Sequence, residues 1–369
     1  MDTRSGQKGK PNTEGPEGWQ ELKRHDLMRG LRRELRDIYH FYIDPERRES
    51  LSKMHRLVRW VYVVIWIGMS MLAKLTPLRR LLLVISLVMA LTNVHYSLGR
   101  GGEMSINFGG LGFTLLLIVL LLELKDKLLF QNELVAGKAV QEALLPKQNP
   151  VLPGWDLWLY TRPANEVGGD LVDYVMLPEG KLAVCLGDVA GKGLGAALCM
   201  AKVQATLRAL VDTTPSLRSL GRRLNEILCR DSLPQRFVSL VVAALSARRG
   251  KVQMLNAGHL PPLLIKEGQC AELPRGEAAL GLNPKTRYRT KTHRLEKGDL
   301  LVLYSDGLTD CRNERLEPFG ETRLYNVLLS TSSASAREIG EHLVAAVERF
   351  VGEARFEDDF SIAILKRTA

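Results

Sequence analysis

The run LAVCLGDVAGKGLGAALCMA, residues 182–201, changes character twice within twenty positions. Leu182 to Leu186 is a short apolar segment of the kind that forms a strand, and Gly187-Asp188-Val189 closes it. Ala190-Gly191-Lys192-Gly193 then leads into a helical pattern that runs from about Gly193 to Val211. Asp188 is thereby left at a strand end, beside a glycine. Three other places repeat the arrangement. Gly168-Gly169-Asp170 opens a strand-like segment, Ser305-Asp306-Gly307 closes the run LLVLY, and Glu357-Asp358-Asp359 opens the run that starts at Phe360. One Asp-Gly pair is ordinarily a turn. Four acidic strand ends in order describe a rigid sheet presenting short carboxylates to a shared cleft. Oxygen-only ligands suit hard divalent cations such as Mg²⁺ or Mn²⁺, and the scarcity of His and Cys near these positions argues against zinc.

Working outward, further strand-like runs lie at Trp155 to Tyr160, Lys181 to Leu186, Phe237 to Leu245, Val252 to Leu255, Leu263 to Ile265, Leu300 to Tyr304 and Phe360 to Leu365. Helical patterns occupy about Ser216 to Cys229, Gly320 to Leu329 and Ala336 to Val351. Strands punctuated by helices in pairs predict an α+β sandwich rather than a regular βαβ alternation.

The N-terminal part reads differently. Residues 1–18 are a polar, glycine- and proline-rich tail, expected to be disordered, and 19–56 form a basic juxtamembrane helical region. Within 57–78, Trp60 to Ala73 is a 14-residue uncharged stretch that reads as interfacial or membrane-spanning. Residues 81–99 and 104–122 are two 19-residue stretches without Asp, Glu, Lys or Arg, close to the ~20 residues needed to cross a ~30 Å hydrocarbon core. With Arg100 to Glu103 as a tight turn, residues 79–122 are expected to form a transmembrane helical hairpin. Residues 123–146 continue as an amphipathic connecting helix, ended by Pro146, and 147–369 form the catalytic domain. Of the 369 residues, 51 are basic and 41 acidic, and the excess concentrates before residue 122. This is topology charge flanking apolar segments rather than a nucleic-acid footprint. Arg79 and Arg80 before the hairpin, and Lys125 and Lys127 after it, place both its ends in the cytoplasm, with two spans favoured over three. The five cysteines are odd in number and scattered, which suggests neither a disulfide framework nor a zinc knuckle.

The stretches GKAVQEALLP, RPANEVGGDLVDY, GDVAGKGLGAALCMA, FVSLVVAAL, LNAGHLPPLL, LGLNP, GDLLVLYSDGLTDCRN and EDDFSIAIL, in this order between Gly137 and Lys366, resemble the stage II sporulation protein E family. That family is the bacterial branch of the metal-dependent type 2C serine/threonine phosphatases. The resemblance implies an αββα sandwich, two Mn²⁺ or Mg²⁺ ions, and a protein phosphatase whose substrate is a phosphorylated anti-sigma-factor antagonist of a partner-switching pathway. It assigns Asp188 as the aspartate that bridges the ions and serves catalysis, with the backbone carbonyl of Val189 beside it. Asp170 completes one side, and Asp306 and Asp358 bind the other ion; Asp359 is the alternative to Asp358, because adjacent strand residues face opposite ways. Asp173 and Asp310 are candidates for a supporting role or a weak third ion, and Arg162 and Lys192 for phosphate contact. Eukaryotic relatives carry a histidine two positions after the bridging aspartate, where this chain has Ala190, so the leaving-group acid is unassigned.

Gly191-Lys192-Gly193-Leu194-Gly195 lacks the spacing of a dinucleotide loop, and His259 reads as a hydrogen-bonded structural histidine. The expected assembly is a multi-pass protein of the bacterial inner membrane, with its catalytic domain in the cytoplasm, no nucleic-acid partner, and a homodimer paired through the connecting helix. The competing reading is a non-catalytic membrane receptor or scaffold that keeps the fold for binding.

Overall fold

The computed structural model describes residues 39, 42–44, 47, 50–51, 54–91, 94–98, 102–106, 108–211, 213–231, 236–247 and 250–369. The expected tail, most of the basic region 19–56 and the turn at Arg100 lie outside the described residues. The chain divides into two compact units, Met1–Lys127 and Leu128–Ala369.

In the first unit, α1 (Arg56–Lys74) contains the short apolar stretch, with Trp60, Val61, Val64 and Ile65 exposed. Pro77, whose fixed φ and missing N–H suit a helix start, opens α2 (Pro77–Leu91). This helix runs antiparallel to the first part of α3 (Phe108–Leu144). Arg79 donates to Glu123 at 2.7 Å and to Asp126 at 2.6 Å at one end of the pair. Farther along, a Cβ on Gly112 would stand 2.7 Å from the Ser86 carbonyl, so only glycine permits this approach. The two helices are not joined as expected. The helix ends at Leu91, and β1 (Val94–Leu98) pairs antiparallel with β2 (Gly102–Ile106). The expected helical spans 81–99 and 104–122 therefore each lose one end to a β-hairpin. Absence of charge had set their length, and it carries no helix propensity: Thr92, Val94, Tyr96 and Ile106 favour strand. At 1.5 Å per residue, the 15 residues of α2 extend only ~22 Å.

Among the described residues, two helices are long and apolar enough to cross a membrane, α3 and α4 (Leu194–Val211). The second is a core helix, with Ala196, Met200, Val203 and Leu207 buried. On α3 the apolar side chains of Leu111, Phe113, Leu116, Leu117, Ile118 and Leu120 are exposed.

The second unit is built from β3 (Trp155–Arg162), β4 (Leu171–Leu177), β5 (Lys181–Val189), α4, α5 (Leu217–Asp231), β6 (Val238–Ser246), β7 (Lys251–Ala257), β8 (Leu263–Lys266), β9 (Gln269–Glu272), β10 (Thr290–Arg294), β11 (Leu300–Tyr304), α6 (Asp306–Asp310), α7 (Gly320–Thr331), α8 (Ala336–Val351) and β12 (Phe360–Arg367). One antiparallel sheet has the order β10-β7-β6-β5-β4 and the other β3-β12-β11-β8-β9. Strand alternation makes three cores. Leu182, Val184 and Leu186 of β5 meet Leu301 and Leu303 of β11 between the sheets. Ala183 and Cys185 turn outward to α4 and α5, and Leu300, Val302 and Tyr304 turn outward to α7 and α8. Strands buried on both faces explain why their sequences read as unbroken apolar runs. The result is the expected α+β sandwich of helix, sheet, sheet and helix layers.

Local signals fix the ends. Ser335 accepts from the Glu338 amide, and the Glu338 carboxylate accepts in return from the Ser335 amide, a capping box that starts α8. Asp156 of β3 accepts from the Ala336 amide at 2.7 Å and ties that helix to its sheet. The compact unit begins at Leu128 rather than at the expected 147, because the last turns of α3 are built into it.

Candidate metal centre

Both sheets deliver acidic residues to the same end of the sandwich. Asp188 lies at the end of β5, opposite Ser239 of β6. Asp170 immediately precedes β4, whose Leu171 pairs with Gly187. From the second sheet, Asp306 opens α6 directly after β11, and Asp358 precedes β12, the neighbour of β11. A Cβ on Gly169 would stand 3.2 Å from the Val189 carbonyl oxygen, so the GGD loop lies against that oxygen as well.

The electrostatics report this convergence. Burial, then Asp306, Asp358 and Asp359, push the Asp188 carboxyl up to about 6, against the opposing pull of Lys192. Asp170 is held well above the usual carboxylate range, by burial first, with Asp188 and Asp359 adding to it. Asp306 is raised by burial, then by Asp358 and Asp310. Among the described residues no three His, Cys, Asp or Glu side chains are drawn close enough to grip an ion as they stand. The site nevertheless fits a hard divalent cation. The Oδ2 atom of Asp170 is buried without a hydrogen-bond partner, a costly state that a cation would relieve, and the surrounding donors are all oxygens.

The structure separates the neighbouring aspartates by task. The Asp359 carboxylate accepts from Ala164 N at 2.8 Å and Gly169 N at 2.5 Å, which braces the GGD loop of the other sheet. A Cβ on Gly168 would collide with that carboxylate at 2.7 Å, so the glycine pair is what admits it. Asp358 is instead half-exposed and bridged by Lys192 at 2.9 Å. Asp173 does not join the cluster. It is fully buried on the helix side of β4, bound by Arg208 through Nε and Nη2, each at 2.7 Å, and by Gln204 at 3.0 Å. Strand alternation explains this, since residue 173 has the opposite parity to residue 170. Asp310 sits at the exposed end of α6, near enough to Asp306 to raise it. Arg162 is bound to Glu348 at 2.8 Å and lies over the Phe356 ring.

Two contributors were not singled out from sequence. The side-chain amide of Gln141, on α3, donates to the Gly168 carbonyl at 2.8 Å and accepts from the Gly168 amide at 3.0 Å, clamping the loop that carries Asp170. A usable signal was present: Gly137 and Gln141 are one helical turn apart and share a face. Ser239, across from Asp188, bonds His259 Nδ1 at 2.9 Å, while His259 Nε2 meets the Tyr304 carbonyl at 3.1 Å. The carbonyl can only accept, so Nε2 carries the proton. Burial lowers this imidazole to about 4, which keeps it neutral. His259 is structural, as its sequence context indicates, and links the strand end at Asp188 to the one at Asp306.

Two outcomes follow for variants. Asp359→Ala strands the Gly169 and Ala164 amides and is expected to cost about 1–3 kcal/mol per buried unpaired group, whereas Asp358→Ala leaves the urea midpoint nearly unchanged. Equal midpoints for the two would remove the division of labour. The raised carboxyl of Asp188 binds its proton more tightly folded than unfolded, so its contribution to stability is complete below the ordinary carboxylate range and is lost as pH rises through about 6. In EDTA, Asp188→Asn should therefore gain ~1 kcal/mol on the parent between pH 5 and pH 7.5. A difference that is flat or falling across that window contradicts the assignment.

Residues 178–368 match the family model for stage II sporulation protein E, just over half of the chain. The phosphoserine phosphatase RsbU of Bacillus subtilis is 26% identical over 241 residues, covering 64% of this chain and 70% of that protein. Protein IcfG of Synechocystis is 27% identical over 262 residues, covering 63% of this chain but only 41% of IcfG. The PP2C domain of SiaA from Pseudomonas aeruginosa superposes with a TM-score of 0.59 at 21% identity, over 66% of this chain and 99% of that domain, which shows the shared fold. With its sandwich, its four acidic strand ends and this match, the chain belongs to the stage II sporulation protein E family.

Proposed function

We propose that the chain is a membrane-tethered, metal-dependent protein serine/threonine phosphatase that acts on a phosphorylated anti-sigma-factor antagonist. The observation that carries the reading is the buried, partnerless Asp170 oxygen among mutually repelling carboxylates contributed by both sheets. Asp188, Asp170, Asp306 and Asp358, with the Val189 carbonyl, would hold two Mn²⁺ or Mg²⁺ ions. Such ions, when bound, supply a water made nucleophilic near neutral pH and neutralise charge on the phosphoryl oxygens. Lys192, which bridges Asp358, would also contact phosphate, whereas Arg162 would first have to leave Glu348. Cys185 and Cys311 are buried, with thiols pushed up by burial, which supports attack by water over a cysteine nucleophile. At Ala190 no side chain can protonate the leaving serine oxygen.

The substrate class rests on the resemblance and on RsbU being named a phosphoserine phosphatase. The exposed apolar face of α3 supports a membrane tether, with the catalytic unit in the cytoplasm where such a substrate resides. Paired α3 helices of a dimer would act on the site through Gln141, whose two bonds hold the loop beneath Asp170. The intact acidic set favours an enzyme over a scaffold.

The full-length chain should release phosphate from such antagonist proteins only with Mn²⁺ or Mg²⁺, and Asp188→Asn should lose nearly all of this while staying folded. Activity that survives both EDTA and that substitution would refute the two-ion reading. Gln141→Ala strands the buried Gly168 amide and carbonyl, so it should lower stability by about 1–3 kcal/mol per unpaired group and also raise the Mn²⁺ concentration for half-maximal activity about tenfold, the second effect marking a helix that positions Asp170. An unaltered metal requirement would sever α3 from the site.

A further inference from the structure

β10 is the outermost strand of its sheet, paired among the described residues only with β7. The segment that enters it and the strand itself expose Arg275, Lys285, Arg287, Arg289 and Lys291. Among the described residues none of these five side chains has an ion-pair or hydrogen-bond partner, a state they share with other exposed cations of the unit such as Arg218, Lys251 and Lys297, so what sets them apart is their gathering along one sheet edge. Arg275, Arg289 and Lys291 converge with His293 and a single acid, Glu277, on one narrow cleft. The His293 Nε2 atom is buried there without a partner. Charged edges guard a sheet against unwanted strand pairing, and that alone would account for scattered lysines. It does not account for three cations lining one cleft with a single acid, an arrangement suited to a negatively charged group. The cleft is too narrow for a nucleotide and suits the carboxylate of an acidic side chain.

Its position matters. Neighbouring strands lie about 4.8 Å apart, so β10 stands roughly 14 Å across the sheet from β5. Lys291 lies opposite Met254, a few residues along β7 from its acidic end, which puts the cleft about 15–20 Å from Asp188. A folded domain of about 100 residues has a radius of gyration near 13 Å and covers both places at once. The backbone here is held fast, since Glu277 bridges to Ala257 and a Cβ on Gly276 would stand 2.0 Å from the Asn256 carbonyl oxygen.

We infer that this open sheet edge is a docking surface for the acidic face of a folded phosphoprotein, which it holds while the phosphorylated side chain reaches the aspartate cluster; this rests on the phosphatase reading above. Basic side chains at the rim of an interface act chiefly on encounter and are screened by salt.

The test uses the full-length chain, a charge-reversed Arg289→Glu/Lys291→Glu variant, and Arg275→Glu on the separate loop. Four readouts are compared: hydrolysis of p-nitrophenyl phosphate with Mn²⁺, KM for an intact phosphorylated antagonist protein, binding of fluorescent poly-L-glutamate to the metal-free chain, and sedimentation with phosphatidylglycerol vesicles. Both variants should hydrolyse the aryl phosphate as the parent does. Their KM for the phosphoprotein should rise about tenfold at low salt with kcat unchanged, the gap should close as salt is added, and poly-L-glutamate binding should be lost. A parent that cleaves no phosphate ester fails the phosphatase reading, while the poly-L-glutamate arm still reads the surface. Unchanged KM and unchanged poly-L-glutamate binding overturn the docking surface. Loss of vesicle binding with KM unchanged overturns it in favour of a lipid-facing edge.

Discussion

The carboxylate of Asp359 holds the two sheets of the second unit to a common geometry. It belongs to the second sheet, yet its hydrogen bonds go to Ala164 and Gly169, on the segment that enters the first. Asp170 takes its position from that brace, and Asp188 faces Asp170 because Leu171 pairs with Gly187. Gly307 lies flat against the Asp359 backbone, where a Cβ would stand 2.0 Å from the carbonyl oxygen, so the turn bearing Asp306 is set by the same residue. One residue, its side chain spent on backbone amides rather than on chemistry and its backbone packed against Gly307, thus ties the loops bearing Asp170 and Asp306 together.

The surrounding architecture supports a costly arrangement. Carboxylates gathered with Lys192 as the cation that opposes their raised affinity for protons still repel one another, and burial adds to the penalty. The three layers of buried aliphatic side chains supply rigidity that a loop-borne cluster would lack. Two clamps concentrate it at the strand ends. His259 ties Ser239 to Tyr304 across the sheets, and Gln141 ties α3 to Gly168. Both are neutral and fully engaged, so they restrain position without adding charge where charge is already in excess.

Much of this was legible in sequence, for identifiable reasons. Strands buried on both faces give runs such as LLVLY, and a glycine beside an aspartate at the end of such a run marks a strand end. The helical pattern read from Ala336 to Val351 coincides with α8. What escaped reading depends on distance in the chain. Nothing local distinguishes Asp358 from Asp359; the choice is made by amides nearly two hundred residues away. Asp173, close to Asp170 in sequence, is claimed by Arg208 from the facing helix. β10 is polar, Thr290-Lys-Thr-His-Arg294, because it is an edge strand, so hydrophobic runs could not reveal it. In the membrane region absence of charge carries no helix propensity, and the β-branched and aromatic residues between 94 and 106 pair as strands instead.

The order of strands has a consequence for how the site comes into being. In the second sheet β12, the last strand in the chain, lies between β3, the first of the unit, and β11. Two of the acidic strand ends, at Asp170 and Asp188, are contributed by early segments, and Asp358 arrives only with β12. Pairing β3 with β12 closes a loop of about two hundred residues, the kind of contact that forms slowly because its entropy cost precedes its reward. Until then β3 and β11 each present an open edge, and the carboxylates are apart and free of mutual repulsion. Assembly of the acidic cluster therefore coincides with completion of the sandwich, so a partly folded chain, however helical, does not hold the site.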